Sequence, residues 1–350
     1  MKKEIVSLQI LRGFAAISIV FIHMNAIIRQ YGAEHRYLFP STEMANAGVD
    51  VFFVISGVIM ALITSRIGDQ PGQAGPFLLK RITRIYPIYW IYLFLFIIGN
   101  LLIQGSIMET SGNFSLLSVA QSALLIPNQD LPILIIAWTL EFEIYFYLLF
   151  AVLLALGWHG NMKYLSAISV LLVGIGTFYQ PELAVWSLIT DPLLLEFTAG
   201  VFLGRLYLSR KRPNPIPLFI FAVILIALEN VGWSAAEIFD MYGTRFGRLV
   251  RFGIPAIFIT AAFLFANERI IRDRVKILER IGDASYSLYL SHLLVLSIAG
   301  KVWSLLGLQQ LLPDLLFAVY LLGACVVWSI LSYDYLEVPI IQRIRRSLPH

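Results

Sequence analysis

Apolar residues in this chain run in long blocks rather than alternating or forming a narrow stripe. The first block, "LQILRGFAAISIVFIHMNAIIR", covers residues 8–29. Others follow at 46–66, 84–104, 132–156, 162–178, 186–208, 215–231, 249–267, 284–305 and 312–336. Crossing about 30 Å of hydrocarbon takes roughly 20 apolar residues in a helix. The pattern therefore predicts an all-α polytopic membrane bundle of about ten transmembrane helices. The stretch "FSLLSVAQSALLIP" (114–127) is too short and polar to cross, and is expected to be interfacial or re-entrant. The first block holds Arg12 and His23 and opens a series of further blocks, so it reads as a span and not a cleaved signal.

Composition agrees: 59% of the 350 residues are hydrophobic and 14% charged, against about a quarter charged in soluble domains. Charge then orients the bundle. With a cytoplasmic N-terminus, only Arg29, Arg36, Arg245, Arg248, Arg251 and Lys301 fall on the far side. The other 20 of the 26 Lys and Arg face the cytoplasm. This bias predicts both termini in the cytoplasm. The net charge of +4 lies in loops between spans, which argues against nucleic acid as a partner. A single cysteine, Cys325, excludes an intramolecular disulfide and a thiolate metal cluster. It is expected to be a small buried residue. No His/Asp/Glu spacing reads as a metal site, and no phosphate loop, GxSxG elbow or CxxC is present.

Ionisable groups inside spans are costly and are expected to face a bundle interior or a wet cavity. Arg12 and His23 are 11 residues apart. That is about 20° past three full turns, so they share a helix face. The rise between them is about 16 Å. Arg12 is thus placed near the cytoplasmic surface and His23 beyond the midplane. Arg81 and Arg84 share a face at the mouth of the third span, where two guanidiniums suit phosphates. Pro87, one turn later, is expected to bend that helix or free backbone carbonyls. Glu141 and Glu143 lie inside the fourth span but point to different faces, so distinct partners are expected. In "IGDASYSLYLSHLLVL", Ser285, Tyr289 and His292 form a polar stripe two turns long.

With these residues in view, the chain resembles the acyltransferase 3 family of integral-membrane acyltransferases, and within it the ExoZ-like exopolysaccharide acetyltransferases. The resemblance runs through "LRGFAAISIVFIH", "GVDVFFVISGVIM", "KRITRIYPIYW", "WTLEFEIYFY", "GDASYSLYLSH" and "LEVP", in that order along nearly the whole chain. It implies transfer of an acyl group, usually acetyl, from cytosolic acyl-CoA to a glycan hydroxyl. It matches His23 to the family's essential histidine, Arg12 to its partner arginine, Arg81 and Arg84 to the donor-binding Arg-x-x-Arg, and Glu143 to an acidic position. Expected with it are a transmembrane domain over 1–340, a short basic cytoplasmic tail at 341–350 and a bacterial inner-membrane location, and, although some members of the family carry an appended soluble domain, none is expected here.

Combined, the two readings give a set of expectations. His23, Glu143 and Asp50 are the catalytic candidates, with Glu143 or Asp50 orienting the imidazole. Arg12, Arg81, Arg84, Tyr86, Tyr289 and Ser285 are assigned to acyl-CoA, and Trp138 and His292 to the acceptor. A continuous wet passage is expected from the cytoplasmic arginines to His23. Expected partners are acyl-CoA, a glycan or lipid-linked saccharide, and membrane lipids, with an oligomer compatible and no metal. The alternative is a transporter or flippase of a lipid-linked sugar or acylated metabolite.

Overall fold

A computed structural model describes residues 5–39, 42–67, 72–102, 115–158, 162–179, 182–230, 245–267 and 276–347. Away from water, a backbone satisfies its own polar groups by becoming helical. Among the described residues every regular element is a helix. Eight helices among the described residues are long and apolar enough to cross a membrane. They are α1 (Val6–Tyr31), α2 (Ala47–Ile67), α3 (Ala74–Leu102), α5 (Trp138–Ala155), α8 (Leu193–Leu208) with the short α7 (Ala184–Ile189) before it, α10 (Arg245–Phe265), α12 (Ser285–Leu305) and α13 (Asp314–Ser332) continuing into α14 (Val338–Ser347). Two shorter apolar helices, α6 (Met162–Phe178) and α9 (Pro215–Asn230), fall on the remaining predicted blocks. Between α10 and α12 lies α11 (Lys276–Asp283). The predicted helical blocks thus recur as helices, and the protein is a multi-pass membrane helix bundle.

Segment 114–127 holds only α4 (Leu116–Leu124), nine residues long. Its C-terminal end meets the middle of α3. The Tyr86 hydroxyl donates to the Leu124 carbonyl at 2.9 Å, Tyr89 to that of Ser122 at 2.5 Å, and the Trp90 indole to that of Ala123 at 2.8 Å. These bonds satisfy carbonyls that a short helix leaves open. Pro87 does not break α3, which runs on unbroken to Leu102.

Glycines set how closely the helices approach. At Gly200 in α8, a Cβ would lie 2.0 Å from the Val54 carbonyl oxygen of α2. At Gly57, a Cβ would lie 2.1 Å from that of Phe197. Only glycine permits this backbone contact. A second crossing seats α1 on α11, where a Cβ on Gly282 would lie 1.9 Å from the Gln9 carbonyl oxygen. It fixes the stretch of α1 that carries Arg12. The opposite end of α1 is pinned by its own loop. Asn25 exchanges hydrogen bonds with the Phe39 backbone (2.7 and 3.2 Å), and Asp314 accepts from the Ala33 backbone N–H at 2.7 Å.

Two π-helical turns interrupt the spans, Leu249–Gly253 inside α10 and Tyr333–Glu337 between α13 and α14. Such wide turns often mark functional sites, and each adjoins a buried polar cluster. Cys325 is fully buried, as a small apolar residue would be.

Candidate active site

A cavity of about 410 Å³ opens between α1, α2, α3, α5 and α12. Four guanidiniums line it, those of Arg12, Arg81, Arg84 and Arg345, against one carboxylate, Glu143. Arg12 and Arg81 and Arg84 were legible as inward-facing cations. Arg345 was read as part of a basic tail, whereas residues 338–347 continue as helix and return it to the cavity wall. The Nε of Arg81 is buried without a hydrogen-bond partner, and its guanidinium lies over the rings of Phe77 (5.9 Å) and Tyr147 (5.7 Å). The Ser285 hydroxyl, also on the wall, is buried and likewise unpartnered. A basic chamber with unspent donors suits a polyanionic ligand.

Glu143 accepts a hydrogen bond from Tyr147 and lies among the arginines, not beside His23. A buried carboxylate, Glu337, stands within electrostatic reach of Arg12 and Arg84. A one-way chain of hydroxyls feeds it. Trp328 donates to Tyr92 (3.2 Å), Tyr92 to Ser332 (2.6 Å), Ser332 to Ser287 (3.2 Å), and Ser287 to Glu337 (2.7 Å). Glu337 is the acid of "LEVP"; its motif was noted in the sequence without a role. Every donor in the chain points toward Glu337, whose side-chain oxygen is the terminal acceptor.

The inner wall of the cavity is Tyr289. Its hydroxyl is bonded to Thr139 and to the Ile136 carbonyl, each at 2.8 Å. Behind it, the His292 ring lies 5.9 Å from the Tyr289 ring and 5.0 Å from the His23 ring. Nε2 of His292 is 3.2 Å from Nδ1 of His23. Ser285, Tyr289 and His292 thus form the expected stripe, running from the basic cavity to His23. No continuous passage is seen among the described residues: Tyr289 lines the cavity and His23 does not. His23 is nevertheless partly exposed, whereas His292 is fully buried.

Four other assigned residues have their partners elsewhere in the structure. Tyr86 is two residues from Arg84, about 200° away, so it faces α4 instead of the cavity. Asp50, fully buried, pairs with Arg248 at 2.8 Å and lies beside the buried Glu196, so it does not orient His23. Trp138 belongs to that same cluster, with the Arg248 guanidinium 5.4 Å from its ring. His292 has both ring nitrogens occupied by protein partners and none left for an acceptor. Glu141 lines a separate cavity of about 320 Å³ with Ser118, Gln121, Asn128 and Asp130. The two glutamates do have distinct surroundings. Among the described residues, no group of three or more His, Cys, Asp or Glu is placed to hold a metal.

Comparison with known proteins adds the chemistry. Exopolysaccharide production protein ExoZ of Rhizobium meliloti is 30% identical over 306 residues, covering 85% of this chain and 90% of that one. Peptidoglycan O-acetyltransferase OatA of Listeria monocytogenes is 23% identical, covering 97% of this chain and 56% of that protein. No solved structure matches. The acyltransferase domain model matches residues 5–334, nearly all of the bundle that carries the basic cavity and the histidine pair. The chain therefore belongs to the acyltransferase 3 family and is a multi-pass membrane acyltransferase.

Proposed function

We propose that this protein is an O-acetyltransferase of the bacterial inner membrane. It moves an acyl group from cytosolic acyl-CoA to a hydroxyl of an exopolysaccharide or its lipid-linked precursor. The observation that carries this reading is the basic cavity lined by Tyr289, whose ring lies 5.9 Å from that of His292 in the His23–His292 pair. Four arginines hold the phosphates of the donor at the cytoplasmic mouth, with the unpartnered Arg81 Nε as one donor among them. The pantetheine arm lies along Ser285 toward Tyr289. Displacement of the Tyr289 ring, at the cost of its bonds to Thr139 and Ile136, joins this chamber to His23.

His23, reached by the acceptor from outside the cavity, takes the proton of the attacking hydroxyl. The oxygen–carbon bond forms, the carbon–sulfur bond breaks, and the proton is returned to the leaving thiolate. Atoms and charge balance without a further reactant. The glycan acceptor is supported by the names of both relatives, one tied to exopolysaccharide and one to peptidoglycan O-acetylation.

The test is purified protein in lipid nanodiscs with acetyl-CoA radiolabelled in the acetyl group and the polysaccharide fraction of the producing cell. Label is expected in alkali-labile ester on the glycan, with matching release of CoA thiol. Glycan movement with no thiol release would instead make the protein a transporter.

Arg84→Ala is expected to weaken acetyl-CoA binding about 10- to 100-fold, the worth of one charge-assisted hydrogen bond. Arg210→Ala, exposed beyond the end of α8 and outside the cavity, should leave it unchanged. Calorimetric titration with acetyl-CoA reads both. Equal affinities for the two variants contradict the phosphate clamp.

A further inference from the structure

The bonds around the two histidines decide which nitrogen does the work. Nδ1 of His23 is 3.0 Å from the Ile19 carbonyl oxygen, one turn back on α1. Nδ1 of His292 is 2.6 Å from the Tyr289 carbonyl oxygen on α12. A carbonyl oxygen only accepts, so each neutral ring carries its hydrogen on Nδ1. Nε2 of His292 is then a lone pair. It faces Nδ1–H of His23 at 3.2 Å, and that hydrogen is shared between the imidazole and the Ile19 carbonyl. Every polar position of the pair now has a partner except one, Nε2 of His23.

We infer that Nε2 of His23 is the reactive nitrogen, and that His292 is a positioning residue that holds His23 in this tautomer and ring orientation. The inference rests on the reading that His23 performs the transfer, and it deepens that reading.

Burial points the same way, since His23 is partly exposed whereas His292 is fully buried. When Nε2 of His23 takes the hydroxyl proton, positive charge spreads to Nδ1–H, directly against the His292 lone pair. An acidic residue commonly plays this part behind a catalytic histidine. Inside a bilayer an acid there would be a costly isolated charge. A neutral imidazole accepts the same hydrogen bond and is costly only when the charge forms. Nδ1 of His292 is anchored on its own helix, which fixes the direction in which its lone pair points.

Two variants test this, His292→Leu and His292→Gln. Both should bind acetyl-CoA as the wild type does, because His292 lies outside the donor cavity. His292→Leu should lower turnover about 100-fold, within the range for losing a positioned acid–base group. His292→Gln supplies a carbonyl oxygen that accepts from His23 Nδ1–H and should recover about tenfold of that loss. A role in packing alone would favour leucine over glutamine. In the wild-type protein labelled with ¹⁵N-histidine, the signal absent from His23→Gln should show a protonated Nδ1 and a bare Nε2.

Wild-type turnover in His292→Leu, a glutamine variant no better than leucine at equal donor affinity, or a protonated Nε2 on neutral His23 would each overturn the inference. Failure of the functional reading is separable. An active His23→Ala removes His23 from the reaction altogether. An inactive His23→Ala beside a fully active His292→Leu removes only the role given to His292.

Discussion

His23→Ala is expected to lower acyl transfer by at least about 10³-fold, within the range for general acid–base groups, while the protein still inserts and binds acetyl-CoA. The loss follows from geometry, since no other imidazole in the site has a nitrogen free. His292 is fully buried, and both its nitrogens are already engaged. Survival of the fold follows from what the ring touches. Its bonds are to a carbonyl of its own helix and to His292, and alanine is a strong helix former. Leaving one imidazole nitrogen unpaired costs about 1–3 kcal/mol, which a bundle of this size tolerates. Donor binding persists because His23 does not line the basic cavity. Turnover measured beside gel filtration and an acetyl-CoA titration separates these effects. A monodisperse variant with wild-type turnover ends the assignment.

Gly200→Leu has the second large effect, on assembly of the bundle. A Cβ there would lie 2.0 Å from the Val54 carbonyl oxygen and 3.0 Å from the Gly57 Cα. Both are backbone atoms, so no side chain can turn aside. The helices α2 and α8 must separate, and with them Asp50 and Glu196, which lie side by side across that contact. Overpacking typically costs about 1–3 kcal/mol. A leucine between touching backbones is expected to exceed that range and prevent a stable fold. Gly323→Leu on α13 is the control, because a Cβ there meets nothing within 4 Å. Membrane yield and thermal unfolding in detergent should fall for the first and hold for the second. Equal stability of the two variants would show that the crossing yields where close packing says it cannot.

The helical blocks were legible in the sequence, and so was direction around a single helix. Arg12 and His23 emerge on one inward face, and Ser285, Tyr289 and His292 on another, because helical periodicity fixes both. Which helices are neighbours was not legible. Hydropathy locates spans but carries no information on adjacency, so nothing in the sequence joins His23 to a histidine 269 residues away. Asp50 illustrates the limit. The sequence suggests a depth like that of His23, yet its side chain meets Glu196 of α8 and Arg248 of α10. Tyr86 differs for a simpler reason, since two positions along a helix set it about 200° from Arg84. Helices α6 and α9, of 17 and 16 residues, fall below the length that marks the other eight, although their composition resembles the rest.

The wide turn at Tyr333–Glu337 acts as a phase shifter. One extra residue is accommodated there without breaking the rod, so everything downstream is rotated by about 100° relative to an uninterrupted α-helix. The azimuth of Arg345 is therefore set a dozen positions upstream of it. Shortening that turn by one residue would keep the span, its hydropathy and its charge, yet swing a cavity-lining cation away from the cavity. In this chain, helix length counts as strictly as residue identity.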